Sequence, residues 1–179
     1  MNADSDELLI QKYRSGNAAA FDCLYERYRI PVFNYIYRQV KQKNLTEDIF
    51  QDVWLRVIRS VEQLKTDGNF SSWLYRIAHN RLIDYWRQHR PDEMDDDGDV
   101  RDPGKAPEHL QFIQNCIERL KALLDLLKPE QRDAFVLQQE SGLTLEQIAE
   151  VTASGRETVK SRLRYAMQRL RAGLEGCDD

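Results

Sequence analysis

The sequence predicts an all-α fold of two small helical domains joined by a flexible acidic linker, the second containing a helix-turn-helix. Three observations predict it. Apolar residues recur at helical spacing almost throughout, and no β-branched alternation runs longer than a few residues. Residues 91–108, PDEMDDDGDVRDPGKAPE, contain three prolines, two glycines and almost nothing apolar, the composition of a linker. Near the carboxyl end, LEQIAEV and a longer basic segment flank the short turn TASG.

Each element has its own local signals. Asp4 and Glu7 are expected to frame a first short helix through ELLIQKY, stopped at SGN. Asn17 is expected to cap a second helix, whose stripe Phe21, Leu24, Tyr25, Tyr28, Val32, Ile36 and Val40 keeps the helical repeat. Pro31 lies inside that stripe and should kink the helix or remove one backbone bond. Asn44 and Glu47 have capping-box spacing for a third helix with apolar face Ile49, Val53, Trp54, Val57, Ile58 and Val61. KTDGN ends it, and a fourth helix is expected from about Ser71 to about His89, ahead of Pro91.

Beyond the linker, Leu110, Ile113, Ile117, Leu120, Leu124 and Leu127 predict a periodic helix closed by LKP. Pro129 suits the first turn of the next, PEQRDAFVLQQ. The boundaries predicted are 1–90 for the first domain, 91–108 for the linker and 109–179 for the second domain.

Charge is distributed unevenly. The linker holds eight acids against Arg101 and Lys105, about −6, so a chain of net charge −4 has a remainder of about +2. The protein is acidic because of its middle. No apolar run approaches the roughly 18–20 residues of a membrane span, and MNADSDELL has no signal-peptide pattern, so a cytoplasmic location without membrane insertion is expected. Cys23, Cys116 and Cys177 lie far apart with no CxxC pairing, which predicts free thiols and neither a disulfide nor a metal site. His79, His89 and His109 are scattered, and no nucleophile with its base and no Gly-rich phosphate loop is present. No catalytic residue, metal or cofactor is expected.

In the carboxyl-terminal motif, Ile148, Ala149, Val159 and Leu163 are spaced to pack two helices together, the small Ala149 allowing a close crossing. Arg156, Glu157, Lys160, Ser161, Arg164 and Arg162 then fall on the outward side. Basic side chains so placed can lie in a major groove and meet phosphates and guanine edges. The same residues alone would serve equally as a solvated helix end.

The third helix aligns Asp48, Asp52, Arg56 and Arg59 on one polar side, with Gln51 beside them and an Asp52–Arg56 pair expected at i, i+4. By itself this is a solvated face. The fourth, NFSSWLYRIAHNRLIDYWRQHR, interleaves Phe70, Trp73, Tyr75, Tyr85 and Trp86 with Arg76, Arg81, Arg87 and Arg90. Aromatic faces among cations suit unpaired bases on a nucleic-acid backbone, although Trp73, Ile77 and Trp86 also fit a core repeat.

Four ordered stretches, AFDCLYERYRIPVFNYIYR, TEDIFQDVWLRV, FSSWLYRIAHNRLIDYWR and LTLEQIAEVTASGRETVKSRLRYAMQRLR, resemble the extracytoplasmic-function (group 4) sigma factors of bacterial RNA polymerase, in the sigma-70 family. The resemblance implies core RNA polymerase (β′ clamp and β subunits) as partner, with a first domain like sigma region 2 docking on the β′ clamp through Asp48, Gln51, Asp52 and Arg56. It also implies capture of the melted minus-10 element by Asn69, Phe70, Trp73, Arg76, Asn80, Arg81 and Tyr85. A second domain like sigma region 4 would read the minus-35 element of promoter DNA through Arg156, Glu157, Thr158, Lys160, Ser161 and Arg164. The linker would follow the polymerase toward its RNA exit channel, and an anti-sigma factor that clamps both domains is a further implied partner. One departure stands out: members of that family carry Gly and an apolar residue in the turn where this chain has Ala153 and Ser154. A left-handed residue without glycine costs on the order of 1 kcal/mol.

Two other functions fit part of the pattern. A helix-turn-helix regulator acting without core polymerase would leave the aromatic, basic fourth helix without a purpose. A sigma mimic that only sequesters an anti-sigma factor would not need groove-facing Arg and Lys.

Overall fold

The computed structural model describes residues 4–64, 69–88 and 108–177, and every regular element among them is helical. The predicted linker lies almost wholly outside the described residues, as does His89. Helix α1 spans Asp6–Arg14 and α2 spans Ala18–Val40. The cap of α1 is Ser5, whose hydroxyl accepts from the Leu8 amide, not Asp4, which binds Lys12 at 2.6 Å. Asn17 takes the cap position of α2 without a side-chain bond. Asp6 bonds to both Arg27 and Tyr28, which ties α1 to α2. Helix α2 runs through Pro31 as one element, at the cost of the amide that the Arg27 carbonyl would otherwise receive.

Helix α3 covers Lys43–Ser60 and passes into a short 3-10 turn, Val61–Gln63. Gln42 is its cap residue, two residues before the predicted cap Asn44, so the Asn44–Glu47 capping box does not form. Ile49, Val53, Trp54, Val57 and Val61 are buried as expected, whereas Ile58 is exposed. Helix α4, Phe70–Gln88, is capped by Asn69, whose Oδ1 accepts from the Ser72 amide at 2.8 Å. The first four helices enclose Leu24, Val32, Ile36, Val53, Val57, Leu74 and Leu82 without measurable exposure.

The second domain comprises α5 (Glu108–Asp125), α6 (Pro129–Gln139), α7 (Leu145–Val151) and α8 (Arg156–Gly173). Pro129 opens α6 at its first position, as its missing amide allows. Thr144 and Gln147 form a reciprocal capping box on α7. The apolar stripe of α5 divides: Leu124 is buried against Ala166 and Leu170 of α8, while Leu110, Ile113 and Ile117 are exposed. Periodicity fixes that an apolar face exists, and the half without a neighbour stays in solvent.

The thiol expectation is corrected. Cys116 of α5 and Cys177, beyond the end of α8, form a disulfide with Cα atoms 5.9 Å apart; Cys23 is free and exposed. Sixty-one positions separate the pair, so spacing in the sequence carried no sign of it.

The two domains share one core. Ala134, Val136, Leu137, Ile148 and Val151 belong to the same buried cluster as Leu24, Ile36, Val53 and Leu74. Helix α4 packs on α7, and α2 on α6. Asp133 of α6 enters a polar socket there, accepting from the Tyr35 hydroxyl at 2.8 Å and lying 3.1 Å from Nδ1 of His79, with Gln39 at 3.4 Å. Arg38–Glu140 at 3.0 Å and Lys41–Asp125 at 2.8 Å close the rim, positive residues of the first domain meeting negative ones of the second.

Candidate nucleic-acid and protein interfaces

Helix α3 turns its buried residues inward, which leaves Asp48, Gln51 and Arg56 exposed and Asp52 half-buried. Asp52 does not pair with Arg56. Its Oδ2 accepts from Arg81 Nε and Nη2 of α4, both at 2.8 Å, and Arg56 reaches Asp84 at 4.0 Å. The i, i+4 pair loses to α4 because an Arg on a packed neighbouring helix presents two donors to the same carboxylate. Leu55, 49% exposed, stands in the middle of this face. The sequence carried that signal, since Leu55 follows Asp48, Gln51 and Asp52 at i+7, i+4 and i+3.

Helix α4 presents three sides. Phe70, Leu74, Tyr75, Ala78 and Leu82 are buried; His79 and Tyr75 lie on the side toward the second domain, while Arg76 and Asn80 are exposed. Burial pushes the Tyr75 hydroxyl up to about 12. Phe70, also assigned to the minus-10 strand, is 1% exposed and packs edge-on against Tyr28, ring centroids 5.4 Å apart. Trp73 and Tyr85 are half-buried, Trp73 leaning on Phe70 at 5.9 Å. Asn69 is exposed, yet its carboxamide oxygen is committed to capping α4. Arg81 is half-buried and held by Asp52, so Arg76 and Asn80 are the fully exposed members of the predicted set on this helix.

In the second domain Ile148, Val159 and Leu163 are buried between α7 and α8, and Ala149 is half-buried. The turn between the helices is a Schellman motif: the Ala153 amide donates to Glu150 O at 3.4 Å and the Ser154 amide to Ala149 O at 2.9 Å. Its left-handed position falls on Ala153, with φ of 48°, while Gly155 has φ of −72° and serves as the cap of α8. At the end of α1 the same motif uses Gly16, φ 95°. Ser154 fixes the turn further, donating to Thr152 O at 3.3 Å and accepting from Arg162 at 2.8 Å. Arg162 therefore faces the turn, a correction to its outward assignment.

Arg156, Glu157, Thr158, Lys160 and Arg164 are exposed along α8, and Ser161 is half-buried beside them. Arg156 pairs with Glu146 of α7 at 2.5 Å and Glu157 at 3.5 Å; Lys160 lies 3.9 Å from Glu157. The Arg156 guanidinium holds the Glu146 carboxyl below its ordinary range. Such solvent-screened pairs are weak enough for phosphates to displace them. The Arg164 guanidinium lies 5.2 Å from the ring centroid of Tyr165, itself 52% exposed and unremarked from sequence. No group of metal-ligating side chains occurs among the described residues, and no helix there is long and apolar enough to cross a membrane.

Comparison with known proteins agrees with this arrangement. The family model for Sigma-70 region 2 matches residues 24–91, and that for Sigma-70, region 4 matches residues 123–172. The ECF RNA polymerase sigma factor BldN of Streptomyces coelicolor is 31% identical over 96% of this chain and 68% of its own. The structure of CnrH in complex with the cytosolic domain of CnrY superposes with a TM-score of 0.70 at 22% identity, over 98% of this chain and 100% of that one. The sigma factor RpoE of Bartonella quintana, solved with the anti-sigma factor NepR, gives a TM-score of 0.64 at 22% identity over 87% and 98%. At these identities the structures attest the fold, and the sequence matches attest the kinship: the chain belongs to the sigma-70 family of RNA polymerase sigma factors, in its extracytoplasmic-function group.

Proposed function

We propose that this sigma factor divides its work among three surfaces. The α3 face, with Asp48, Gln51, Asp52, Arg56 and Leu55, docks on the β′ clamp of core polymerase. Arg76, Asn80 and Arg81 of α4, with Trp73 and Tyr85 at their edge, hold the melted minus-10 strand, and Asn69 shapes the start of that helix. Arg156, Glu157, Thr158, Lys160, Ser161 and Arg164 of α8 read the minus-35 element. The finer domain boundaries near 90 and 109, and action in the cytoplasm where polymerase and promoter meet, belong to the same reading.

One observation supports it most: the exposed basic row Arg156, Lys160 and Arg164 on a helix seated by Val159 and Leu163 behind a bonded turn. A row at that spacing follows one face of a helix that fits the major groove. An anti-sigma partner is proposed because the similar sigma factor RpoE of Bartonella quintana was solved with the anti-sigma factor NepR.

The test is reconstituted transcription with core polymerase over a genomic set of templates. Promoter-dependent transcripts are expected on addition of the chain. Their absence across the set, with a standard sigma factor active in parallel, overturns the reading.

A further inference from the structure

The disulfide is the feature that the sigma function leaves unused. Cys116 sits on α5 and Cys177 four residues beyond the end of α8, after a turn through Gly176 with φ of 89°. The loop it closes contains α6, α7 and α8, the whole helix-turn-helix, and nothing of the first domain. The contact below it is close: a Cβ on Gly173 would lie 2.4 Å from Leu123 Cδ2, and Leu124 packs against Ala166 and Leu170. Before it on α5, Leu110 and Ile113 are exposed, as is Ile117 next to it, and Arg119 one turn further along donates to the Glu175 carbonyl at 3.4 Å. The bond therefore fastens the upper half of α5 and the carboxyl-terminal turn at the place where apolar packing runs out.

Both cysteines are half-buried, so neither is enclosed in the apolar core. A protein that works on polymerase and DNA meets a compartment where thiols are kept reduced, and disulfides there are commonly transient. We propose that Cys116 and Cys177 are a reversible oxidation site, a dithiol that a peroxide closes and a dithiol reductant reopens, clasping α5 to the end of α8. Only the choice of compartment rests on the sigma reading.

The chemistry balances without a metal. One thiolate attacks a peroxide oxygen, the O–O bond breaks, and a sulfenic acid and an alcohol or water result. The second thiolate attacks the sulfenic sulfur, the S–O bond breaks, and water leaves as the disulfide forms. Two thiols are oxidised by two electrons, and the peroxide is reduced. In reverse, a reductant thiolate attacks either sulfur to give a mixed disulfide, and its second thiol resolves it, regenerating both cysteines and leaving the reductant as its own disulfide.

The experiment uses the full chain, first reduced with dithiothreitol and then exposed to hydrogen peroxide. Trapping with maleimide and mass measurement should show two of three thiols protected, a tryptic peptide joining Cys116 to Cys177, and Cys23 still alkylated as the internal control. Thioredoxin should restore all three. Limited proteolysis should cut the region after Glu108 about tenfold more slowly in the oxidised form, and Cys177→Ser and Cys116→Ser should each abolish that difference. Cross-links that involve Cys23 instead, a 116–177 bond that thioredoxin cannot open, or equal proteolysis of both forms overturns the proposal. Since no polymerase is present, none of these outcomes bears on the transcription assay.

Discussion

Arg81 of α4 places two nitrogens on one carboxylate oxygen of Asp52 of α3, each at 2.8 Å. The sequence resemblance assigns these residues to different surfaces, Asp52 to the polymerase and Arg81 to the minus-10 strand. The pair joins the two. Asp52→Ala and Arg81→Ala should therefore be non-additive: a double-mutant cycle on urea unfolding should give a coupling of about 0.5–1 kcal/mol, the range for a partly exposed pair. In polymerase binding, Asp48→Ala should act independently of Arg81→Ala, and Asp52→Ala should not. Additivity at Asp52 in both measurements would separate the surfaces again.

Leu55 offers an apolar anchor among the charges of α3, being half in solvent with Asp48, Gln51 and Asp52 around it. Interface affinity concentrates in such central side chains. Leu55→Ala should weaken holoenzyme formation by about 1–2 kcal/mol, roughly 5- to 30-fold, while leaving the unfolding midpoint nearly unchanged. Fluorescence titration with core polymerase measures the first and urea melting the second.

Ala153 carries the left-handed residue of the turn and Gly155 does not need its freedom. Ala153→Gly should stabilise the second domain by about 1 kcal/mol. Gly155→Ser should add a few tenths of a kcal/mol by supplying a cap oxygen at the amino end of α8. The new Cβ would meet Thr158 Oγ1 at 3.7 Å, an ordinary contact. Thermal melting of each variant checks both signs.

Lys160 and Arg164 lie on the exposed side of α8, outside the apolar packing. Changing each to Ala should lower the slope of log affinity against log salt by about one, measured on promoter fragments with holoenzyme. Arg162→Ala should behave differently, disturbing the turn through Ser154 while lowering the slope little.

Alkaline pH should loosen the protein in a defined window. Burial raises the Tyr75 hydroxyl to about 12, and burial together with Asp133 raises Tyr35 well above its usual 10. Both stay protonated in the folded chain while the unfolded chain loses those protons near 10, so stability is fully present below about pH 10 and falls as pH rises through 12. Each such tyrosine contributes a slope of up to about 1.4 kcal/mol per pH unit. Tyr75→Phe should flatten urea unfolding midpoints measured from pH 9 to 11.

Much of the fold was legible because its signals are local. Apolar spacing predicted the helices, Pro129 marked a start, and LEQIAEV and its partner matched α7 and α8. The capping errors at Asp4 and Asn44 arose because several nearby polar residues compete for one helix end, and tertiary packing selects among them. Pairings between distant positions left no such trace: Asp52 with Arg81, Asp133 with Tyr35, and Cys116 with Cys177 exist only once helices pack. The burial of Phe70 was hidden for a related reason, since an aromatic at the start of a helix looks the same in one dimension whether it faces solvent or Tyr28.

The placement of Asp133 between Tyr35 and His79 also gives the chain a threshold. A partner that must hold the two domains apart binds only the fraction already apart. If closure is favoured by about a hundred to one, that partner's apparent affinity falls about a hundredfold, equivalent to about 2.7 kcal/mol. A partner that embraces the closed form suffers no such discount. Asp133 in its socket, the shared apolar core and the two rim ion pairs together set how large that discount is.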